Sequence, residues 1–155
     1  MKALSAALVL AVAALSLSAN GNGEHTLTIL YSSSLNGNLD GCDCKGHPRG
    51  GLVKRAAWLR KLEHPEQVLL IDAGDLLDPY PDRDLAAAIF DTYMELGYTA
   101  IGLGDQEFAN GLDSLLEYRE RYPLMAHNLT LCPDENRCIF FSTTPQIVEL
   151  SLIHI

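Results

Sequence analysis

What most restricts the fold of this chain is the order of its apolar segments. Short β-rich runs at residues 26–31, 67–71, 98–102 and 123–126 alternate with helical stretches. The first helix opens after Gly50 and Gly51 and puts Leu52, Ala56, Leu59 and Leu62 on one face. The second spans about residues 83–96 and stops at Gly97; the third covers residues 112–121. Residues 67–71 form a short continuous apolar run, the mark of a strand covered on both faces. Parallel neighbours need a crossover, usually a helix, so this order predicts an α/β fold with largely parallel strands and covering helices. Ligands of such sheets gather at the carboxyl ends of the strands. The chemically unusual residues sit at those ends: residues 32–36, Gly74, Asp75, residues 105–107, His127 and Asn128.

The ends of the chain read differently. Residues 1–19 join an early Lys2 to a long apolar run and a small-residue cleavage region, the pattern of a secretory signal. The apolar run is short for a membrane span, and a polar linker at residues 20–25 follows at once. The expected product is an exported protein, periplasmic or extracellular, with no membrane partner after signal removal. The net charge of -9 is spread along the sequence, which disfavours nucleic acid and anionic membrane as partners. Residues 26–149 form at most one domain, and 139–155 read as one or two strands. Residues 150–155 also match a translated sequencing adapter, so they are expected to be an artefact. Oligomeric state is left open.

Four cysteines in an exported chain point to disulfides, and spacing favours Cys42 with Cys44 and Cys132 with Cys138. Cys132 and Cys138 bracket a surface turn and are expected to be structural. A Cys42–Cys44 bridge would close a very small ring, and Lys45, His47 and Arg49 nearby would lower a thiol pKa. That loop suits thiol–disulfide exchange with a thiol partner. Equally open are a soft-metal site from Cys42, Cys44 and His47, taking zinc or copper(I), and a disulfide that only pins the loop. Lys54, Arg55, Arg60 and Lys61 are expected on the solvated face of the first helix. Asn128, Leu129 and Thr130 match a glycosylation acceptor.

Several ordered motifs carry a resemblance: residues 27–30, Gly50 to Arg55, Leu70 to Asp75, Gly102 to Gly104 with Glu107 and Phe108, Asn110 with Gly111, and Ala126 to Leu129. Over residues 26–131 the chain resembles the N-terminal half of the metallophosphatase (calcineurin-like) domain of secreted 5′-nucleotidases and UDP-sugar hydrolases, in a divergent branch that includes selenocysteine-containing relatives. The resemblance implies a truncated metallophosphatase-type sandwich. It also implies an Asp-x-His pair after the first strand, an Asp bridging two metals, and a Gly-Asn-His run giving an Asn ligand and a catalytic His. Two cations about 3.5–4 Å apart would then activate a water for in-line attack on phosphate.

On this pattern Ser34 stands at the first Asp position and Asn36 at the His position. Asp75 matches the bridging Asp, Asp105 replaces the Asn, and Gln106 replaces the catalytic His, although an amide cannot serve as a general acid. Zinc favours thiolate, imidazole and carboxylate, so a two-zinc centre is not expected. Asp75, Asp105, Asn36 and Asn128 form an all-oxygen set suited to one hard divalent cation, calcium or magnesium. The alternative is that Asp75 and Asp105 only cap loops and helices. The leading expectation is an exported 5′-nucleotidase-like protein with a degenerate dimetal centre, binding a small-molecule phosphate ester or acting through Cys42 and Cys44. Its rivals are a working two-metal phosphoesterase and a structural exported domain.

Overall fold

The computed structural model describes residues 27–41, 45, 50–135 and 137–142. The expected signal segment, the linker, Cys42, Cys44, His47, Arg49 and the tail from residue 143 lie outside the described residues.

Four strands, β1 (Thr28–Ser32), β2 (Val68–Asp72), β3 (Tyr98–Gly102) and β4 (Leu124–Met125), form one parallel sheet in the order β1-β2-β3-β4. Helices α1 (Leu52–Leu59), α2 (Arg83–Leu96) and α3 (Leu112–Arg121) make the three crossovers. Residues of all three helices join one core cluster with the sheet, as sequential strand order with the usual right-handed crossovers requires. The α/β class with parallel strands is therefore the observed one.

Local signals explain the boundaries. Asp82 caps α2, its carboxylate accepting the Leu85 N–H at 2.9 Å, and Gly97 ends it in the left-handed region (φ 84°). The observed ranges of α2, β3 and α3 are those expected. Strand β2 starts one residue later than expected because Pro65 opens a 3-10 turn, Pro65–Gln67, ahead of it. Leu62 falls beyond the end of α1 yet still packs against the core.

The core lies between the sheet and the helices. Ile89, Phe90 and Tyr93 of α2 pack with Ile101 of β3 and Leu115 of α3, all fully buried. Burying side chains of this size contributes about 1.5–3 kcal/mol each. Phe90 stacks on Tyr122 with ring centroids 4.8 Å apart and meets Tyr118 at 5.1 Å. The face of β1 turned from the helices is open, with Tyr31 83% and Ile29 53% exposed. No helix among the described residues is long and apolar enough to cross a membrane.

After β4 the chain departs from the sequence reading. The turn expected between Cys132 and Cys138 is present at Glu135, but strands flank it: β5 (Thr130–Asp134) and β6 (Arg137–Phe140) pair antiparallel as a hairpin. The Cys132–Cys138 disulfide forms as expected, its Cα atoms 4.1 Å apart across that hairpin. Phe141 N–H to Leu129 O (2.9 Å) extends the hairpin by one rung, and Ala126 N–H to Ser142 Oγ (2.9 Å) ties it back to the end of β4.

Candidate functional site

Three loops leave the carboxyl ends of β1, β2 and β3 side by side. Hydrogen bonding between β1 and β2 does not stop with the strands. Ala73 N–H donates to Ser32 O (2.8 Å), Ser34 N–H to Gly74 O (2.9 Å), Asn36 N–H to Asp75 O (3.0 Å) and Gly37 N–H to Leu76 O (2.8 Å). The first loop is thus zipped onto the second. Ser34, Asn36 and Asp75 all take left-handed backbone conformations, with φ of 55°, 53° and 58°. Non-glycine residues adopt such angles at a cost and only where their surroundings impose them.

Glu107 joins the third loop to the second. It lies in the 3-10 turn Gln106–Phe108, is 0% exposed, and accepts three backbone N–H groups: Leu76 at 2.7 Å through Oε1, and Asp75 at 3.0 Å and Gly104 at 2.6 Å through Oε2. Gly104 is packed so closely against the Asp75 carboxylate that a Cβ there would overlap it. Asp75 Oδ1 is buried there with no hydrogen-bond partner among the described residues, and so is Gln106 Oε1. Asp105 is exposed at the N-cap position of the 3-10 turn, with no side-chain capping bond. The capping role considered for Asp105 is therefore not what this geometry gives. Asn36 is exposed and its amide donates to Ser34 O at 3.2 Å; Asn128 is exposed beyond β4.

Beneath the loops lies a second polar cluster, which overturns one expectation. Arg55 is not on the solvated face of α1. Its side chain is 23% exposed and its Nη1 reaches Tyr93 Oη, Ser32 Oγ (3.2 Å), Asp72 Oδ2 (3.5 Å) and Tyr98 Oη (3.5 Å). Lys54, Arg60 and Lys61 are exposed as expected. Asp72 is buried at the end of β2; it accepts from Ser32 Oγ, from Tyr93 Oη (3.0 Å) and, through Oδ1, from Gly74 N–H (2.9 Å). Burial, and then the charge of Asp72, push the Tyr93 hydroxyl well above its ordinary pKa.

No family model matches the chain. A snake venom 5′-nucleotidase of Gloydius brevicauda is 34% identical over 128 residues, covering 74% of this chain and 20% of the relative. A 5′-nucleotidase of Vibrio parahaemolyticus is 28% identical over 119 residues, covering 71% and 21%. A solved 5′-nucleotidase precursor from Thermus thermophilus superposes with a TM-score of 0.56 at 23% identity, over 66% of this chain and 22% of that one, a likeness of fold.

The chain is 5′-nucleotidase-like. It spans about a fifth of the length of the curated relatives it matches. Within this 5′-nucleotidase-like frame the described residues by themselves supply no ligand set for two transition metals. Among the described residues no three His, Cys, Asp or Glu side chains gather to hold an ion, and Ser34 and Asn36 offer only neutral donors. The buried, partnerless Oδ1 of Asp75 is a fit for a single hard cation. The sequence reading places Ser32 and Glu107 among the unusual residues at the strand ends, and Asp72 and Glu107 in the family motifs, but gives none of them a role, and it does not single out Tyr93 or Tyr98. For Asp72 a signal existed: strand alternation places it two residues after buried Leu70, on the helix-covered face.

Proposed function

We propose that this chain is the N-terminal part of an exported 5′-nucleotidase-like protein that keeps the frame of a metal centre without the ligands of a two-metal hydrolase. Asp75 would hold one hard divalent cation, with Asp105, Asn36 and Asn128 as candidate further donors. When bound, that cation would supply positive charge to a small-molecule phosphate ester. The chain's own residues aim the Asp75 carboxylate, through Gly104 and Glu107, and they lack an imidazole at Gln106 to protonate a departing oxygen. Binding without efficient cleavage is the consistent outcome.

The observation that carries this reading is the orphaned Oδ1 of Asp75, a buried anionic acceptor that no described group satisfies. Export is supported by the leader-like residues 1–19 and by the venom origin of one relative. The test is metal content of the intact protein, purified without chelators, together with calcium and magnesium titration by calorimetry. One site that takes calcium or magnesium and vanishes in Asp75→Asn is expected. Two tightly held transition metals per chain, with phosphate ester hydrolysis, would overturn the proposal in favour of a working phosphoesterase.

Thiol–disulfide chemistry at Cys42 and Cys44 is a separate reading, which rests on their C-x-C spacing and on the basic residues Lys45, His47 and Arg49 beside them in the sequence. Thiol titration of the intact protein tests it: cysteines that stay unreactive after mild reduction would remove the redox role.

A further inference from the structure

Glu107 is the one fully buried acidic side chain among the described residues that faces the loop cluster without touching a side-chain cation. Both of its oxygens are occupied by backbone N–H groups, so it is not placed to be a ligand. What its carboxylate does is hold two loops to each other: Leu76 and Asp75 belong to the loop after β2, Gly104 to the loop after β3. The first of those loops in turn accepts the N–H groups of Ser34, Asn36 and Gly37. A chain of contacts therefore runs from Glu107 to the two positions where the metal ligands are replaced, although Glu107 touches neither.

We infer that Glu107 is the positioning residue of this site, setting the backbone of Asp75 directly and that of Ser34 and Asn36 at one remove, so that the three loops open and close as one unit. Its bearing on ligand binding rests on the cation reading above; the coupling itself does not. The left-handed angles at 34, 36 and 75 are what such over-determination looks like: each strained residue has its own N–H, or that of its neighbour, fastened across a loop boundary. With the acceptor removed from the third loop, no described hydrogen bond ties Asp75 and Leu76 to Gly104, only the packing of Gly104 against Asp75, and the first loop loses the fixed edge on which it is zipped.

Amide hydrogen exchange of the intact protein tests this, read on peptides covering residues 33–37, 74–76 and 103–107. In the unsubstituted protein the three segments should share one opening event with the same dependence on denaturant. In Glu107→Gln, whose amide group brings a donor against the Leu76 or Asp75 N–H, all three should exchange at least tenfold faster while residues 28–32 and 98–102 keep their protection. Independent opening of residues 33–37 in the unsubstituted protein, or their unchanged protection in Glu107→Gln, would overturn the inference. If Glu107→Gln fails to fold, the unsubstituted protein's exchange decides alone. Added calcium should slow all three segments together; coupled opening with no calcium effect would leave the positioning role standing and remove the cation reading.

Discussion

Two carboxylates are buried at the same end of the sheet, and they are satisfied in opposite ways. Asp72 is surrounded by side chains: a guanidinium from α1, a phenol from α2 and a hydroxyl from β1 that also meets the phenol of Tyr98, with one backbone N–H. Glu107 is surrounded by backbone alone. A side-chain network can lose one member and keep the rest, because its remaining groups still share partners. A carboxylate that serves three amides from two loops has no substitute of the same reach, and removing it leaves three donors without an acceptor. Asp72 therefore knits the core beneath the site, while Glu107 shapes the site itself.

The largest effect should follow Glu107→Ala. Each buried N–H left unsatisfied costs about 1–3 kcal/mol, so the variant should lose about 4 kcal/mol or more of a total that for most domains is about 5–15 kcal/mol. Urea denaturation measures it; a loss under about 1 kcal/mol would mean water replaces the carboxylate and would end the contrast with Asp72. Next comes the core pair. Asp72→Asn strands Arg55 among phenols, and breaking a buried pair from one side costs about 3–5 kcal/mol; the residual exposure of Arg55 puts this case at the low end, about 3 kcal/mol. Arg55→Met, which removes the cation and keeps an apolar stem, should cost less. Equal costs for the two would show that the network is held by hydrogen bonds and not by charge.

Tyr93→Phe is smaller again, about 1 kcal/mol for one hydroxyl, and it carries a pH signature. Burial and the nearby Asp72 raise the Tyr93 pKa above its ordinary value of 10.0, so the folded state binds the proton more tightly than the unfolded state. The stability this contributes is fully present below about pH 10 and is lost as pH rises beyond it. Tyr122, pushed up to about 12 by burial and by its hydrogen bond to Asp91, acts in the same direction. Denaturation midpoints between about pH 9 and pH 11.5 should fall in the unsubstituted protein and fall less steeply in Tyr93→Phe. An identical slope in both would place the alkaline loss elsewhere.

Much of the frame was legible in the sequence, and the misses have physical causes. Helix α2 was legible because Gly97 stops it chemically; Asp82, which caps its other end, is a signal of the same kind that the reading did not use. The hairpin of β5 and β6 was not, because Pro133 and four polar neighbours look like a plain turn and the disulfide that closes it gives no strand periodicity. Arg55 was misplaced although its position carried the information: it is three residues after Leu52 and four before Leu59, inside the buried stripe of α1. Glu107 left no periodic trace, since it sits in a single 3-10 turn whose burial depends on two other loops. Local pattern reports elements well; it does not report which backbone amides will lack a partner after the elements meet.

The smallest stability effect is expected from the variant with the most informative readout: Ser34→Asp, Asn36→His and Gln106→His combined. Positions 34 and 36 already hold left-handed angles, a region where Asp, Asn and His are enriched among non-glycine residues, so the first two substitutions ask little of the backbone. Ser34 and Asn36 are exposed and Gln106 Oε1 has no described partner to lose, so the folded state should change by about 1 kcal/mol or less. Metal affinity should move much further, because a carboxylate and an imidazole replace two neutral donors beside Asp75. Zinc or manganese titration of the intact triple variant against the unsubstituted protein is the check. A gain in affinity with unchanged stability would show that Glu107 and Asp72 maintain a frame able to bring metal ligands at positions 34, 36 and 106 to bear on one ion. A well-folded variant with no gain would mean the loops do not hold that shape, and that the buried carboxylates serve the fold alone.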